Sequence, residues 1–298
     1  MRRVSAVAAV ALVGAMLGAC AAGEPTVRAT THTPSADPSP SPTATEVPGV
    51  GTGLVWSVEF DGPAGAALDP AEWSISDRGD GYGNNELQVY TGRSENVHVD
   101  GEGALRLIAR SEPYTDPRGN AGDFTSGRIE TKTRFEHGRI ESRIKVPSGP
   151  GLWSAFWLFG DSLNGEEWPA VGEIDIMELI GNTLDIHNAV IAADESGERW
   201  LRNSSMLSPV PLSDDWHVYA VEWDEQSIAF FVDDVETFRV SRSDLEEDEQ
   251  WPFDRPYSIT LNLAVGGDWP GPPNAETVFP SEMLIDYVRV YDSRVVAP

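Results

Sequence analysis

The sequence predicts an all-β fold, a sandwich or jelly roll of two antiparallel sheets. Short segments in which apolar and polar residues alternate recur from residue 54 to residue 296. Glycine, proline, asparagine and aspartate separate these segments, as they do between the strands of antiparallel sheets. No helical periodicity alternates with the strands, which argues against a parallel sheet. Residues 54–296 therefore form one predicted domain, long enough to bury a core without disulfides.

The residues before this domain have a different composition. Residues 1–19 contain two arginines and a short apolar run, which is typical of a secretory signal and too short for a membrane span. Cys20, the only cysteine, follows Leu17-Gly18-Ala19, so this segment resembles a bacterial lipobox whose cysteine receives a lipid. An ordinary signal peptide with an accidental cysteine is the alternative. Residues 20–53 are rich in proline, threonine and serine, which predicts a disordered tether.

Strands follow one another along the domain. The main predicted strands are 55–60, 104–109, 152–159, 172–179, 187–193, 218–223, 259–265 and 283–291. Two hairpins are predicted as well, one that folds 127–146 about a turn near residue 137, and one that pairs 228–232 with 236–240. Only residues 243–250 favour a short helix.

Three carboxylates lie within the apolar run 172–179. On a regular strand Glu173 and Asp175 share a face, while Glu178 points to the other. One extra residue at Met177, a β-bulge, would bring Glu178 to the same surface. Bulges concentrate next to active sites because they re-aim a side chain in this way. The spacing therefore predicts three carboxylates on one face, with a solvated outer strand as the alternative.

Carboxylates gathered in this way suit the hydrolysis of glycosidic bonds. A retaining glycosidase needs two carboxyl groups roughly 5–5.5 Å apart, one ionised as nucleophile and one protonated as acid. Asp175, between the two glutamates, would orient the nucleophile and raise the proton affinity of its neighbour by like-charge repulsion.

Tryptophans supply a second feature of a carbohydrate site. Trp153 and Trp157 share one face of their predicted strand, and the residues at 156 and 158 suit the core. Trp168 and Trp269 lie in loops beside proline. An indole ring can stack on the C–H face of a sugar, so Trp153, Trp168 and Trp269 could line a glycan cleft. Ordinary core tryptophan is the alternative for each of them.

The charge of the chain excludes some partners. Its 48 acidic and 21 basic residues give a formal net charge of −27. Nucleic acid and anionic membrane surfaces are therefore poor partners, and anionic polysaccharides are disfavoured on average.

The segment from Glu173 to Glu178 resembles the bulged E-x-D-x-x-E signature of glycoside hydrolase family 16, in particular its laminarinase-like members. Other stretches resemble the same family in the same order, namely 83–88, 125–129, 152–157, 261–267 and 286–291. The resemblance covers nearly all of 54–292. It implies a β-jelly roll with a concave substrate cleft, and endo-hydrolysis of laminarin-type β-1,3-glucan with retention of configuration.

The resemblance also implies roles for individual residues. Glu173 takes the position of the nucleophile, Glu178 that of the acid/base, and Asp175 assists. The positions that would contact sugar in the cleft are Asn85, Arg128, Trp153, Trp168, His187, Asn262 and Trp269. Arg128 could instead be an outer-strand charge, and His187 a core histidine with satisfied hydrogen bonds.

Laminarinase-like members often carry a structural calcium ion, and no cofactor is expected for catalysis. Backbone oxygens of Glu59 and Gly103, together with Asp286, match the calcium positions, although Asp286 could be a plain strand acid. In one respect the sequence departs from the family pattern: a second histidine is common four residues after the position of His187, and Ile191 stands there. This departure leaves the reaction class intact and makes the substrate less certain.

Two other functions stay open at this point. The same chemistry could act on mixed-linkage β-glucan or on a galactan such as agar, or the chain could bind β-glucan without turnover. In each case we expect a neutral polysaccharide partner, no nucleic acid and a monomer. We also expect an extracellular or cell-surface location, with membrane contact only through the lipid anchor.

Overall fold

Strands dominate the computed structural model, which describes residues 53–297. Residues 1–52, which include the predicted signal, Cys20 and nearly all of the predicted tether, lie outside the described residues. The described chain forms two single-turn 3₁₀ helices, Gly81–Gly83 and Arg242–Asp244. No helix in this part of the chain is long and apolar enough to cross a membrane. The described strands, in chain order, are β1 (Leu54–Val58), β2 (Trp73–Ile75), β3 (Gln88–Tyr90), β4 (Val97–Val99), β5 (Leu105–Thr115), β6 (Ala121–Ser126), β7 (Arg128–Thr131), β8 (Arg134–Glu136), β9 (Gly138–Lys145), β10 (Gly149–Gly160), β11 (Glu173–Gly181), β12 (Asp185–Ala193), β13 (Arg199–Leu207), β14 (His217–Trp223), β15 (Ser227–Val232), β16 (Val235–Ser241), β17 (Tyr257–Val265), β18 (Ser281–Tyr291) and β19 (Arg294–Val296).

The strands form two sheets, as the sequence predicts. The first sheet has the order β16-β15-β14-β9-β18-β5-β6-β3, with β1 beside β18 and β4 beside β5. The second has the order β13-β12-β11-β10-β17-β7-β2, with β8 beside β17 and β19 beside β8. Pairing is antiparallel throughout except between β3 and β6. The strand with the three carboxylates, β11, lies inside the second sheet and pairs with β10 and β12 on either side.

Alternation along the strands separates a core face from an outer face. Phe156 and Leu158 of β10 and Ile174 of β11 are fully buried, and they belong to the same apolar core as Ile140 and Ile144 of β9 in the first sheet. Each such side chain contributes roughly 1.5–3 kcal/mol by leaving water. Because this face of the second sheet is held against the first sheet, its other face is left to carry a cleft.

The two predicted hairpins have different outcomes. The pairing of 228–232 with 236–240 is confirmed by β15 and β16, which are joined through Asp233 and Asp234 in left-handed conformations. The prediction for 127–146 is wrong. Its first half, β7 and β8, pairs with β17 in the second sheet, whereas β9 pairs with β14 and β18 in the first.

The chain changes sheet where the sequence predicts a tight turn. Gly138 has φ +94°, and a Cβ there would lie 2.4 Å from the carbonyl oxygen of Tyr291. Only glycine fits this close approach. The alternation of apolar and polar residues before and after Gly138 is compatible with a hairpin as well as with two strands in different sheets. The pairing is therefore set by contacts with strands distant in the sequence.

The predicted helix at 243–250 is also wrong, because only the turn Arg242–Asp244 is helical. After that turn the backbone extends at Leu245. Glu249 then forms a β-bridge with Asp194, and its carboxylate accepts a hydrogen bond from Arg202 at 2.6 Å. These contacts with β13 and its neighbouring turn outweigh the local helix preference.

Candidate active site

The bulge predicted at Met177 is present in β11. Asp175 lies opposite Ala189 of β12, and Glu178 lies opposite His187, so three steps on β11 match two on β12. The pairing with β10 shows the same extra residue. Ile176 and Met177 are both fully buried in the core, which returns Glu178 to the outer face.

Glu173, Asp175 and Glu178 therefore line one cleft of about 820 Å³ on the outer face of the second sheet. One flank of the cleft is formed by β7, β17 and the loop before β3, and the other by β12 and β13. Of the predicted sugar contacts, the cleft is lined by Arg128, Trp153, Trp168, His187, Asn262 and Trp269.

The three carboxyl groups differ in their affinity for protons. Burial, reinforced by the charge of Glu173, raises the pKa of Glu178 to about 8. Asp175 is only 4% exposed, and burial together with its two acidic neighbours raises its pKa well above the usual range. A hydrogen bond between Asp175 and Glu173 favours the proton on Asp175 and the charge on Glu173.

Glu173 has several partners that favour its ionised form. Burial raises its pKa, and this rise is opposed by hydrogen bonds from Trp168 and Asp175 and by the charges of Arg128 and Arg199. The set of three is thus arranged to hold protons on Asp175 and Glu178 and a negative charge on Glu173. This division is the one that a nucleophile and a general acid need at neutral pH.

Polar and aromatic side chains organise the β7 and β17 flank. The guanidinium of Arg128 lies 4.8 Å from the ring centroids of both Tyr82 and Trp157. Trp157 donates its indole N–H to Asn262 Oδ1 at 2.8 Å, and Asn262 Nδ2 donates to the hydroxyl of Tyr90 at 3.2 Å. Arg128 thus faces the cleft and not the outer solvent.

Four further predicted positions gather around Glu178 and the cleft mouth. Trp168 and Trp269 are 45% and 43% exposed, as sugar platforms must be. His187 borders the cleft, its ring lies 4.8 Å from that of Trp269, and burial lowers its pKa. Trp153 is only 9% exposed and donates its indole N–H to Glu178 Oε1 at 3.0 Å.

Asn85 is placed differently from the other predicted sugar contacts. It lies outside the cleft lining, between the lining residues Asn84 and Glu86. Its side-chain Nδ2 donates to both carboxylate oxygens of Asp268 at 3.0 Å. The backbone N–H of Asp268 in turn donates to the carbonyl of Asn84 at 2.8 Å. Asn85 therefore ties its loop to the loop that carries Trp269.

Several cleft residues were not predicted as site residues. Strand β13, absent from the sequence-based prediction, contributes Arg199, Leu201 and Asn203. Its sequence, RWLRNSSML, shows no regular alternation of apolar and polar residues, so local periodicity gave no signal for this strand. The other additions are Arg78, Tyr82, Gly83, Asn84, Glu86, Ala155, Trp157, Phe159, Asn188 and Ala189.

Ile191, which stands where a histidine is common in the family, also lines the cleft. It lies directly across from Glu173 on one side and from Leu201 on the other. The floor of the cleft beside the nucleophile position is therefore apolar, with no ring nitrogen to bond a sugar hydroxyl.

Of the predicted calcium residues, Asp286 lies in β18, Glu59 follows β1, and Gly103 lies in the turn before β5. Glu59 accepts two hydrogen bonds from Arg289, at 3.0 and 2.8 Å, and Asp286 accepts one from Arg143 at 2.7 Å. Within residues 53–297 no group of three or more histidine, cysteine, aspartate or glutamate side chains could hold a metal ion. Because the predicted ligands at Glu59 and Gly103 are backbone oxygens, these side-chain contacts leave the calcium site a prediction.

Known proteins resemble this chain along most of its length. Residues 84–289 match the model of glycosyl hydrolases family 16. A β-glucanase of Rhodothermus marinus is 39% identical over 250 residues, which cover 80% of this chain and 84% of that protein. The structure of the laminarinase catalytic domain of Thermotoga maritima MSB8 superposes with a TM-score of 0.72 at 37% identity, covering 80% of this chain and 97% of that one. The endo-β-1,3-glucanase of Pyrococcus furiosus gives a TM-score of 0.71 at 36% identity, covering 82% and 95%.

The two-sheet fold, the three carboxyl groups in one cleft and these relatives together identify a glycoside hydrolase. This chain belongs to glycosyl hydrolases family 16. The family resemblance seen in the motifs is thereby confirmed.

Replacing Glu178 by a neutral isostere tests the protonation scheme. Burial raises the pKa of Glu178 in the folded state to about 8, above its ordinary 4.5. Between these two pH values the unfolded chain loses this proton while the folded protein keeps it, so the free energy of unfolding falls as the pH rises towards 8. Glutamine has no ionisable proton at this position, so the stability of Glu178→Gln lacks this pH dependence. We expect the melting temperature of Glu178→Gln to exceed that of the wild type by roughly 5 °C at pH 9, and by much less at pH 5.

The exposed Glu247 provides the matched control. Glu247→Gln should differ from the wild type by the same small amount at both pH values. A constant difference for Glu178→Gln as well would mean that Glu178 titrates like an ordinary surface glutamate.

Proposed function

We propose that this protein is an endo-acting, retaining glucanase that cleaves β-1,3-glucan of the laminarin type. The observation that carries this proposal is the set of three carboxyl groups in the cleft, of which Glu173 is favoured as the anion and Glu178 as the acid. Relatives named laminarinase and endo-β-1,3-glucanase, similar over most of the chain, support the substrate class.

The division of charge between Glu173 and Glu178 suits a double displacement. Glu173 attacks the anomeric carbon while the bond to the leaving oxygen breaks, and Glu178 gives its proton to that oxygen. The product is a glycosyl ester on Glu173. Glu178, now ionised, takes a proton from water, whose oxygen attacks the same carbon and releases Glu173. Two inversions at one carbon retain its configuration.

Asp175 contributes through its bond to Glu173. Because the proton of this hydrogen bond lies on Asp175, the nucleophile keeps its charge and is held in one orientation. The charge on Glu173 in turn helps to keep the proton on Glu178. Once the ester forms, that charge is gone, and Glu178 becomes a better match for its second role as base.

The cleft favours turnover over simple binding, and a neutral chain over an anionic one. A binding protein has no need to bury three carboxyl groups on one strand, since each costs free energy when it is ionised. The net charge of −27 disfavours sulfated glycans on average. Because the floor of the cleft at Ile191 and Leu201 is apolar, mixed-linkage glucan and galactan stay as alternative substrates.

Incubation with laminarin, lichenan and agarose, followed by chromatography of the products, tests the substrate. We expect a ladder of oligosaccharides from laminarin at early times, because an endo-acting enzyme cuts within the chain. Faster cleavage of lichenan or agarose would identify one of the alternative substrates. Binding to laminarin with no products from any of the three would identify a glucan-binding protein.

Removal of the nucleophile tests the mechanism. Glu173→Ala should lower kcat on the best substrate by on the order of 10⁴-fold, because no ester can form. Azide, small enough to enter the space left by the side chain, should restore turnover and give a glycosyl azide of inverted configuration. Glu247→Ala serves as the control at an exposed position and should retain full activity. Normal rates in folded Glu173→Ala would show that another residue attacks.

We also propose that the chain is exported and held at a membrane surface by a lipid on Cys20, with residues 20–53 as tether. The support is the sequence alone. Mass spectrometry of the protein isolated from a bacterial host should show a mature form that begins at Cys20 and carries acyl groups. Cys20→Ser should abolish acylation. A mature chain that carries no acyl group and begins at another residue would show that the segment is an ordinary secretory signal. The monomeric state likewise stays a prediction.

A further inference from the structure

Trp153 differs from the other tryptophans of the cleft. Only 9% of its surface is exposed, compared with 45% for Trp168 and 43% for Trp269. A sugar ring stacks on an open indole face, and Trp153 has little face to offer. Its polar atom is already used, since its indole N–H donates to Glu178 Oε1 at 3.0 Å.

The indole of Trp153 is held from a second side. Its ring meets that of Trp269 edge-on, with centroids 5.3 Å apart, and the ring of Trp269 meets that of His187 at 4.8 Å. His187 is the cross-strand neighbour of Glu178 on β12. The loop of Trp269 is itself tied down by the hydrogen bonds between Asp268 and Asn85. The indole N–H is therefore fixed in its direction towards Glu178.

We propose that Trp153 is a positioning residue for the acid/base Glu178 and not a sugar platform. The hydrogen bond from its indole fixes the orientation of the carboxyl group. This proposal rests on the role of Glu178 in the proposed function.

The hydrogen bond also determines which oxygen of Glu178 carries the proton. Oε1 accepts the indole N–H, and in a protonated carboxyl group the carbonyl oxygen is the better acceptor. The acidic proton therefore lies on Oε2, which is the atom that protonates the leaving oxygen. After this transfer the same N–H stabilises the carboxylate, because a hydrogen bond to an ionised acceptor is stronger than one to a neutral acceptor.

The groups that face Glu178 define the expected pH effect. Glu173 and Asp175 face it from its own strand, His187 from β12, and the indoles of Trp153 and Trp269 from β10 and the loop after β17. The charge of Glu173 favours the proton on Glu178, whereas the indole N–H favours its loss and lowers the pKa. Loss of the N–H must therefore raise the pKa of Glu178.

Trp153→Phe removes the N–H and keeps an aromatic ring. We expect the alkaline limb of the kcat/KM profile to move up by about one pH unit. We also expect kcat to fall by roughly tenfold, as the acid loses its fixed orientation, with KM changed less than about threefold. A large rise in KM with an unmoved limb would show that Trp153 is a sugar platform and would overturn the proposal.

Trp168→Phe is the matched comparison. Trp168 lines the same cleft, and its indole forms a hydrogen bond with Glu173 and not with Glu178. This variant should move the acid limb, which reports Glu173, and shift the alkaline limb by much less than Trp153→Phe does. An equal displacement of the alkaline limb in both variants would attribute it to general disturbance of the cleft.

A measurement without substrate separates this proposal from the proposed function. In protein labelled with ¹³C at glutamate carboxyls, the signal missing from Glu178→Gln belongs to Glu178, and its shift against pH gives its pKa. We expect this midpoint to rise by about one unit in Trp153→Phe. An unchanged midpoint in a folded variant, judged by its near-ultraviolet circular dichroism, would overturn the proposal even if no glucan is cleaved. A risen midpoint without glucan cleavage would support the hydrogen bond and leave the proposed function as the part that failed.

Discussion

The register of β11 is the constraint on which the site depends. A regular strand cannot direct residues 173, 175 and 178 to one face, because its side chains alternate. The structure accommodates all three by burying two consecutive residues, Ile176 and Met177, in the core. The free energy gained by burying those two apolar side chains stabilises the irregular pairing. Packing on one side of the sheet thus decides the chemistry on the other.

The three carboxyl groups are all largely buried, and their different hydrogen-bond and charge partners assign different chemistry to them. Asp175, almost without contact with water, keeps its proton and shares it with Glu173. Glu178 is kept protonated by burial and by the charge of Glu173, and Trp153 opposes this with its N–H. Each carboxyl therefore depends on the state of the other two. A change at any one of them alters the proton affinity of all three.

The surroundings of this set come from parts of the chain far apart in sequence. The loop at Asn85 is tied to the loop of Trp269, 184 residues further on, through Asp268. Strand β13 adds Arg199 and Leu201 to the flank that already holds Ile191. A contact of this kind leaves no trace in local periodicity, since it is set by the order of strands in the sheet. The hydrogen bonds of Asn85 to Asp268 are therefore visible only in the structure, while its role as a sugar contact stays a prediction.

Local sequence was enough to predict the all-β class, the core face of β10, the hairpin of β15 and β16 and, if three acids share one face, the bulge at Met177. Each of these follows from alternation or from turn residues, which are local properties of the chain. Long-range contacts were needed to show that β7 and β9 belong to different sheets, that 243–250 is not a helix, and that Trp153 donates to Glu178. These outcomes depend on which distant segments meet, because the free energy of long-range packing exceeds the small local preferences of any single segment.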